Sequence, residues 1–242
     1  MRIGIVQISP VRGNIERNIS NHLYLIEQII KLKADLIIFP ELSLTGYEPT
    51  LAESLAVQVD DARLAPFQAF ADKNEVAIGV GAPTKATDGV NISMLIFQAY
   101  KERSLYTKSL LHEDELPYFT SGKSQPSLQI KGEKVALGIC YETLQRAHFE
   151  EAVNKQADIY IASVAKPDRG LNKAYLHFPS IAQEFHLPVL MANCVGFCDN
   201  FLSNGKSAVW NSQGKLVEEL DTEKQGFILY DTKRDEAKRV SL

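Results

Sequence analysis

The sequence predicts a single α/β domain in which helices cover β-sheet. Short apolar segments alternate with helix-like segments along almost all of the 242 residues. Such alternation is typical of helices packed on a sheet. No stretch rich in Pro, Gly or Ser, no repeat and no low-complexity segment divides the chain. We therefore expect one domain over residues 1–242, with a core that ends near residue 232.

The N-terminal half begins this alternation. Residues 2–7 (RIGIVQ) are typical of a short strand, and apolar residues then recur every three or four positions from Ile15 to Ile30, as in an amphipathic helix. Residues 34–39 (ADLIIF) are apolar on both faces, which is typical of a central strand in a covered sheet. The next predicted elements are a helix over 62–73 and strands over 76–82, 91–100 and 104–108.

The C-terminal half continues in the same way. Its predicted elements are a strand over 134–139, a helix over 144–156, a strand over 158–164, a helix over 173–186, a strand over 187–195, a hairpin over 207–220 and a last strand over 226–232. Pro179 should kink or split the helix in which it lies. The polar tail 234–242 (RDEAKRVSL) is predicted to be extended or frayed.

Composition and charge exclude several classes of protein. Acidic residues outnumber basic ones by 30 to 26, for a net charge of −4, whereas a nucleic-acid binder normally has a basic excess. The chain has three cysteines, an odd number that does not suit a disulfide framework. No segment approaches the ~20 apolar residues of a membrane helix, and the N-terminus lacks a secretory apolar region. We expect a cytoplasmic protein with neither nucleic-acid nor membrane partners.

Three chemically reactive side chains directly follow predicted strands. These are Glu41, Lys108 and Cys140. In open α/β sheets, ligands bind beyond the carboxyl ends of the strands. If these strands lie side by side, a carboxylate, an ammonium and a thiol meet there. They would supply the base, the oxyanion stabiliser and the nucleophile that acyl transfer from an amide requires.

Cys140 lies in the segment GICYE, where a strand is predicted to turn sharply into a helix, as in a nucleophile elbow. Backbone N–H groups at the start of that helix would lower the thiol pKa and bind an oxyanion. Taken alone, a free cysteine is more often a small buried hydrophobe, and a lone glutamate or lysine is more often solvated. Cys194 and Cys198 are interpreted as core residues, because no histidine spacing accompanies them to suggest a zinc site.

The segments FPELSLTGY around Glu41, SLYTK ending at Lys108 and GICYE around Cys140 resemble the three motifs of the nitrilase superfamily of carbon–nitrogen hydrolases, in its amidase-like branch. Their separations of 67 and 32 residues also fit. MRIGIVQISP, LPVLMANCVG and GKSAVWNSQGKLV extend the resemblance over nearly the whole chain. The resemblance implies an α-β-β-α sandwich. It also implies a homodimer or higher homo-oligomer, formed by helices around 144–156 and 173–186.

The resemblance further implies a hydrolase that converts a small linear amide to an acid and ammonia through a cysteine thioester, without a metal or an organic cofactor. Glu41 would take the thiol proton, and Cys140 would attack the amide carbon. Lys108 and the backbone N–H of Tyr141 would hold the oxyanion. The second catalytic glutamate of the family corresponds to Glu115, with Glu113 as the alternative.

Several substrate features remain open at the level of sequence. Tyr47, Phe119 and Glu142 are candidates for the wall of the substrate pocket. Thr143 and Leu144 stand where many members of the superfamily have arginines that bind a substrate carboxylate in a bidentate manner, so a carboxylate-bearing substrate is less favoured. The alternatives to an amidase are a nitrile or carbamoyl-compound hydrolase, an acyltransferase to an amine, and a catalytically silent scaffold with the same fold.

Overall fold

Two β-sheets face each other in this computed structural model, which describes residues 1–123 and 128–242. Strands β1–β15 of the described chain are Arg2–Gln7, Leu36–Ile38, Ala77–Ala86, Gly89–Phe97, Ser104–Thr107, Leu128–Ile130, Glu133–Ile139, Ile159–Val164, Val189–Asn193, Val195–Cys198, Phe201–Asn204, Ala208–Trp210, Leu216–Glu219, Gly226–Asp231 and Glu236–Ser241. Helices α1–α5 are Ile15–Ile30, Ala52–Leu55, Ala65–Asn74, Arg146–Asn154 and Asp168–Phe185. Short 3₁₀ helices are Pro49–Leu51, Ala62–Leu64 and Cys140–Leu144.

The first sheet has the strand order β15-β14-β1-β2-β3-β4-β5, and the second has the order β13-β12-β9-β8-β7-β6. β10 and β11 form a separate antiparallel hairpin. In the first sheet β1, β2 and β3 are parallel, and in the second β7, β8 and β9 are parallel. β5 runs in the same direction as β3, because each is antiparallel to β4. The ends of β2 and β5 therefore lie at one edge of the first sheet.

Apolar side chains fill three layers of core. Ile5 of β1 and Ile161 of β8 belong to the core between the two sheets. Ile26 of α1 packs in a second core on the outer face of the first sheet, and Phe178 of α5 packs in a third on the outer face of the second sheet. Alternate residues of each strand enter opposite cores, as the pleat requires. The predicted single-domain α-β-β-α sandwich is confirmed.

The helix that contains Pro179 differs from the prediction. It begins at Asp168, five residues earlier than expected, and continues as one helix to Phe185. An interior proline costs a helix about 3 kcal/mol. Burial of the apolar face, which includes Leu171, Phe178 and Ile181, offsets this cost because each large side chain contributes about 1.5–3 kcal/mol. Packing on the sheet therefore keeps the helix in one piece.

The C-terminal tail is extended but not frayed. Residues Glu236–Ser241 form the edge strand β15, which pairs with β14 from Gly226↔Ser241 to Asp231↔Glu236. Ala237 packs against the core between the sheets, and Val240 packs against the core under α1. The sheet thus extends beyond the predicted end of the core near residue 232. β6, α2 and the β10–β11 hairpin were also not predicted.

Of the helices in the described ranges, none combines the length and the apolar character needed to cross a bilayer.

Candidate active site

Glu41 lies at the end of β2, in a loop that β3 approaches closely. The N–H of Phe39 donates to the carbonyl of Gly79 at 2.9 Å. A Cβ on Gly81 would lie 2.2 Å from the carbonyl oxygen of Pro40. Only glycine permits this approach. The close contact of loop and strand places the Glu41 carboxylate inside the protein, where its side chain is fully buried.

Lys108 directly follows β5, and its side chain contacts Glu41. Its N–H donates to the carbonyl of Ile92 at 2.8 Å, and its carbonyl accepts from the N–H of Gly122 at 2.7 Å. The ammonium Nζ lies 2.8 Å from Oε1 of Glu41 and 2.6 Å from Oε1 of Glu115. The side chain has 0% exposure. One buried ammonium thus bridges two buried carboxylates.

Glu115, rather than Glu113, is the second carboxylate beside Lys108. Its Oε1 also accepts from the hydroxyl of Tyr47 at 3.1 Å, and its Oε2 accepts from the N–H of His112 at 2.7 Å. Glu113 is exposed on the same loop. These three hydrogen-bonding contacts of the Glu115 carboxylate hold the loop against Lys108.

Cys140 comes directly after β7 and opens the 3₁₀ helix Cys140–Leu144. Its φ of 47° is in the left-handed region, as expected for a sharp turn between strand and helix. Tyr141 is in the first turn of this helix, where backbone N–H groups have no intrahelical acceptor. The Sγ atom lies 3.8 Å from Nζ of Lys166.

Glu142 does not line the substrate cavity, contrary to the prediction. It is fully buried, and its Oε1 accepts from the N–H of Ile139 at 2.8 Å and from the hydroxyl of Tyr106. Its Oε2 accepts from the N–H of Ser109 at 2.9 Å. Tyr106 and Ser109 flank Lys108, so Glu142 ties the turn of the nucleophile to the strand end that carries the lysine. It is a positioning residue.

A cavity of about 620 Å³ opens above Cys140. Its lining residues are Tyr47, His112, Asp114, Glu115, Cys140, Tyr141, Leu144, Gln145, Ala165, Lys166, Pro167, Arg169, Gly170, Lys173, His177 and Phe201. Tyr47 is among them, as predicted for a wall residue. Phe119 is not, because its ring is buried in the core between the sheets and borders a different surface cavity beside Leu116 and Thr120.

Burial and neighbouring charges set the protonation states in the site. Burial raises the pKa of Glu41, and the charge of Lys108 offsets part of this effect. Burial opposes the charged form of Lys108, but the carboxylates of Glu41 and Glu115 outweigh it and raise the lysine pKa. Burial and the Glu41 charge raise the pKa of Cys140 to about 11, although Lys166 and Lys108 act in the opposite direction. At neutral pH Cys140 is therefore a neutral thiol.

Lys166 was not identified from the sequence. It follows β8 after one intervening residue, Ala165, and its side chain is 3% exposed. A lysine two residues after a wholly buried, largely apolar strand was the available signal. The segment SVAKPDR contains it, but on sequence alone it is one charged residue among many.

The arrangement supplies the parts for acyl transfer. Oε2 of Glu41 is buried and has no hydrogen-bond partner among residues 1–123 and 128–242, so it is available to accept a proton. Cys140 lines the cavity with a thiol, a group that can act as a nucleophile, and the Lys108 ammonium is a fixed positive charge. Within the same ranges, no group of three or more His, Cys, Asp or Glu side chains is arranged to hold a metal ion.

Comparison with known proteins places this geometry in a family. The sequence profile of the carbon–nitrogen hydrolase family matches residues 2–241. A probable nitrilase of Schizosaccharomyces pombe is 26% identical over 98% of this chain and 90% of its own length. A glutamine-dependent NAD(+) synthetase of Thermotoga maritima is 24% identical over 100% of this chain, but the chain spans only 44% of that protein.

Solved structures agree on the fold. The NitN amidase of Nesterenkonia sp. AN1 superposes with a TM-score of 0.86 at 22% identity, over 96% of this chain and 92% of the amidase. Variants of that amidase are described in complex with butyramide and with the acetamide moiety of fluoroacetamide added covalently at the active-site cysteine. From the match over its whole length, the chain belongs to the carbon–nitrogen hydrolase family, the nitrilase superfamily that its motifs resemble.

Proposed function

We propose that the protein hydrolyses the C–N bond of a small linear amide to a carboxylic acid and ammonia, through a thioester on Cys140. The observation that carries the proposal is the contiguous set Glu41–Lys108–Glu115 beside a thiol at the floor of an open cavity. The Nesterenkonia amidase, which binds butyramide as a variant, supports a small amide as the substrate.

The first half of the reaction forms the thioester. The carboxylate of Glu41 takes the proton of Cys140 Sγ, and the sulfur attacks the amide carbon. The electron pair of the C=O bond moves to oxygen, where Lys108 and the N–H of Tyr141 stabilise the negative charge. The C–N bond then breaks as Glu41 returns its proton to the leaving nitrogen, which departs as ammonia.

The second half releases the acid. Glu41 deprotonates a water molecule, which attacks the thioester carbon. The C–S bond breaks, the thiol regains its proton, and the carboxylic acid leaves. Glu115 holds Lys108 in place in both halves, because it contacts the ammonium at 2.6 Å and is itself held by Tyr47 and His112.

The test combines turnover with trapping of the intermediate. Ammonia release is measured over amides that include butyramide and glutamine, over nitriles and over carbamoyl compounds. The intact mass of the acid-quenched protein is measured by mass spectrometry. We expect ammonia from amides and an acyl adduct that maps to Cys140. Cys140→Ala should lose both, and the matched variant Cys194→Ala should keep both, since Cys194 is a buried core residue.

Three results would contradict the proposal. Turnover of nitriles or carbamoyl compounds in preference to amides would assign another reaction of the same family. Retention of turnover in Cys140→Ala would exclude the thioester. A correctly folded protein that releases no ammonia from any compound would be a binding scaffold.

A further inference from the structure

Lys166 is a buried ammonium fixed in place beside the nucleophile. Its N–H donates to Oδ1 of Asn193 at 2.9 Å, and its carbonyl accepts from Oγ of Ser203 at 3.2 Å and Nδ2 of Asn193 at 3.3 Å. The methylene stem fits against Gly170, where a Cβ would lie 3.3 Å from Cβ of Lys166. The backbone and the stem of this side chain are therefore both positioned by the fold.

The charge of Lys166 has no carboxylate partner in the described part of the chain. Lys108 contacts two carboxylates, whereas the polar contact of the Lys166 ammonium is Sγ of Cys140 at 3.8 Å. With its pKa raised to about 11, Cys140 is a neutral thiol at neutral pH and supplies no counter-charge. A buried charge without a partner is costly, so an anion in the cavity would be bound favourably.

The other charged residues that line the cavity also leave positive charge without a partner. Arg169 and Lys173 also line it, and neither forms a salt bridge with a described residue. The acidic side chains are engaged elsewhere, Glu115 by Lys108 and Asp114 by Nδ1 of His112 at 2.6 Å.

Two further features of the cavity wall favour a bound anion. The N-terminus of the 18-residue helix α5 lies at the wall, and its N-cap Pro167 makes no side-chain capping hydrogen bond. Its first N–H groups and its dipole favour an anion. Nε2 of His177, another lining residue, is buried without a hydrogen-bond partner among the described residues.

We propose that the substrate is an amide that carries a carboxylate, and that Lys166 binds this carboxylate while Cys140 attacks the amide carbon. This rests on the function proposed above and names its substrate class. Because Nζ of Lys166 lies 3.8 Å from the attacking sulfur, the carboxylate is separated from the scissile carbonyl by about two carbon atoms. Arg169 and Lys173 line the same cavity, are exposed, and add positive charge that attracts the anion.

The residue that binds the carboxylate in this proposal does not lie in the segment after Cys140, where many members of the superfamily have arginines. Thr143 and Leu144 provide no positive charge, and Arg146 is engaged with Glu150 at 2.9 Å and with Glu184 at 2.7 Å. The absence of an arginine clamp on that helix made an anionic substrate less favoured. The ammonium that replaces it comes instead from the end of the neighbouring strand β8.

The experiment compares two amides of the same shape. Succinamate carries the carboxylate, and 4-oxopentanamide has a neutral acetyl group in its place. The kcat/KM ratio of the two amides is measured for the wild type, for Lys166→Met and for the control Lys155→Met. Lys155 is an exposed lysine directly after α4. We expect the wild type to prefer succinamate by about 100-fold, Lys166→Met to abolish this preference, and Lys155→Met to keep it.

A wild-type ratio near one, with amide turnover intact, would overturn the inference and leave the proposed function standing. Equal loss of both rates in Lys166→Met, with an unchanged ratio, would also overturn it and assign Lys166 to the nucleophile. If no amide is hydrolysed, the proposed function fails, and calorimetry decides the anion site separately. Cys140→Ala should then bind succinamate at least about 10-fold more tightly than 4-oxopentanamide, and equal binding would overturn the site. Lys166→Gln serves the same comparisons if Lys166→Met does not fold.

Discussion

Nζ of Lys108 lies 2.8 Å from Oε1 of Glu41, and both side chains are completely buried although 67 residues separate them in the chain. The contact joins the ends of β2 and β5. It joins the base and the oxyanion stabiliser of the proposed reaction in one electrostatic unit, to which Glu115 adds a second carboxylate. Removing the central charge therefore affects both stability and catalysis.

Lys108→Met should leave two carboxylates buried together without a counter-charge. We expect the free energy of unfolding to fall by about 3–5 kcal/mol, as when one partner of a buried ion pair is removed. Amide turnover should fall by about 100-fold or more, because the oxyanion loses its fixed charge. Urea denaturation and ammonia release measure the two effects. The exposed Lys101→Met is the control, and a Lys108→Met protein as stable as that control would contradict the expectation.

The pH dependence of kcat/KM should report Glu41. A general base acts in its deprotonated form, and burial raises the pKa of this carboxyl above its ordinary value of 4.5. Activity should therefore disappear, as the pH falls, at a higher pH than for an ordinary carboxylate. Glu41→Gln should be inactive over the whole range. An acid limb at or below pH 4.5 would show that another group is the base.

Alkylation of the free enzyme by iodoacetamide tests the state of the thiol. With the pKa of Cys140 raised to about 11, its alkylation rate should climb steadily with pH up to that value. Cys194 and Cys198 are each 1% exposed and should stay unmodified in the folded protein. Peptide mapping after a pH series measures this. A rate that is already constant at neutral pH would mean that the resting enzyme holds a thiolate.

Glu142→Gln should damage the site without removing a group that contacts substrate. The amide NH₂ would face N–H donors of Ile139 or Ser109, which leaves a buried donor unsatisfied at a cost of about 1–3 kcal/mol. We expect lower thermal stability and a lower kcat, with a much smaller change in KM. Glu150→Gln, on the exposed face of α4, is the matched control. If both variants behave alike, Glu142 does not position the turn.

Acid should destabilise the protein partly through His22. Burial lowers its pKa to about 4 from 6.5, while a backbone hydrogen bond to Asn18 acts in the opposite direction. Nδ1 lies 2.6 Å from the carbonyl of Asn18 and so carries the proton, and Nε2 accepts from Oγ of Ser43 at 2.9 Å. The folded state keeps the ring neutral, whereas the unfolded chain protonates it below pH 6.5.

The stability that this neutral ring supports is complete above pH 6.5 and is lost as the pH falls towards 4. Thermal unfolding between these values should show the decline. His22→Asn should flatten it, and the exposed His186→Asn should not. The same slope in both variants would assign the acid sensitivity to other groups.

Motif residues were predictable because their chemistry and their place at strand ends coincide in the sequence. Lys108 and Cys140 directly follow β5 and β7, and Glu41 comes three residues after β2. The shared direction of β2 and β5 brings two of these strand ends to one edge. Glu142 was misplaced for the opposite reason. Its partners Tyr106 and Ser109 are more than thirty residues away in sequence, and no local pattern reveals them.

Tertiary packing also explains the errors in the elements. The polar tail is predicted to be extended or frayed, and it becomes a strand because β14 provides a partner for it. Propensity at Pro179 predicts a break, but the buried face of α5 overrides it. Lys166 resembles any surface lysine until β9, the β10–β11 hairpin and the start of α5 pack around it.

The left-handed backbone conformation of Cys140, with φ of 47°, lowers the stability of the folded protein at a residue that the proposed reaction requires. For a residue with a side chain this conformation costs about 1–3 kcal/mol, and glycine avoids most of that cost. Cys140→Gly should thus unfold at a higher temperature than Cys140→Ala, while neither releases ammonia. Stabilising this protein by relieving backbone strain would therefore favour the loss of the proposed nucleophile, so a search for stable variants must keep residue 140 as cysteine.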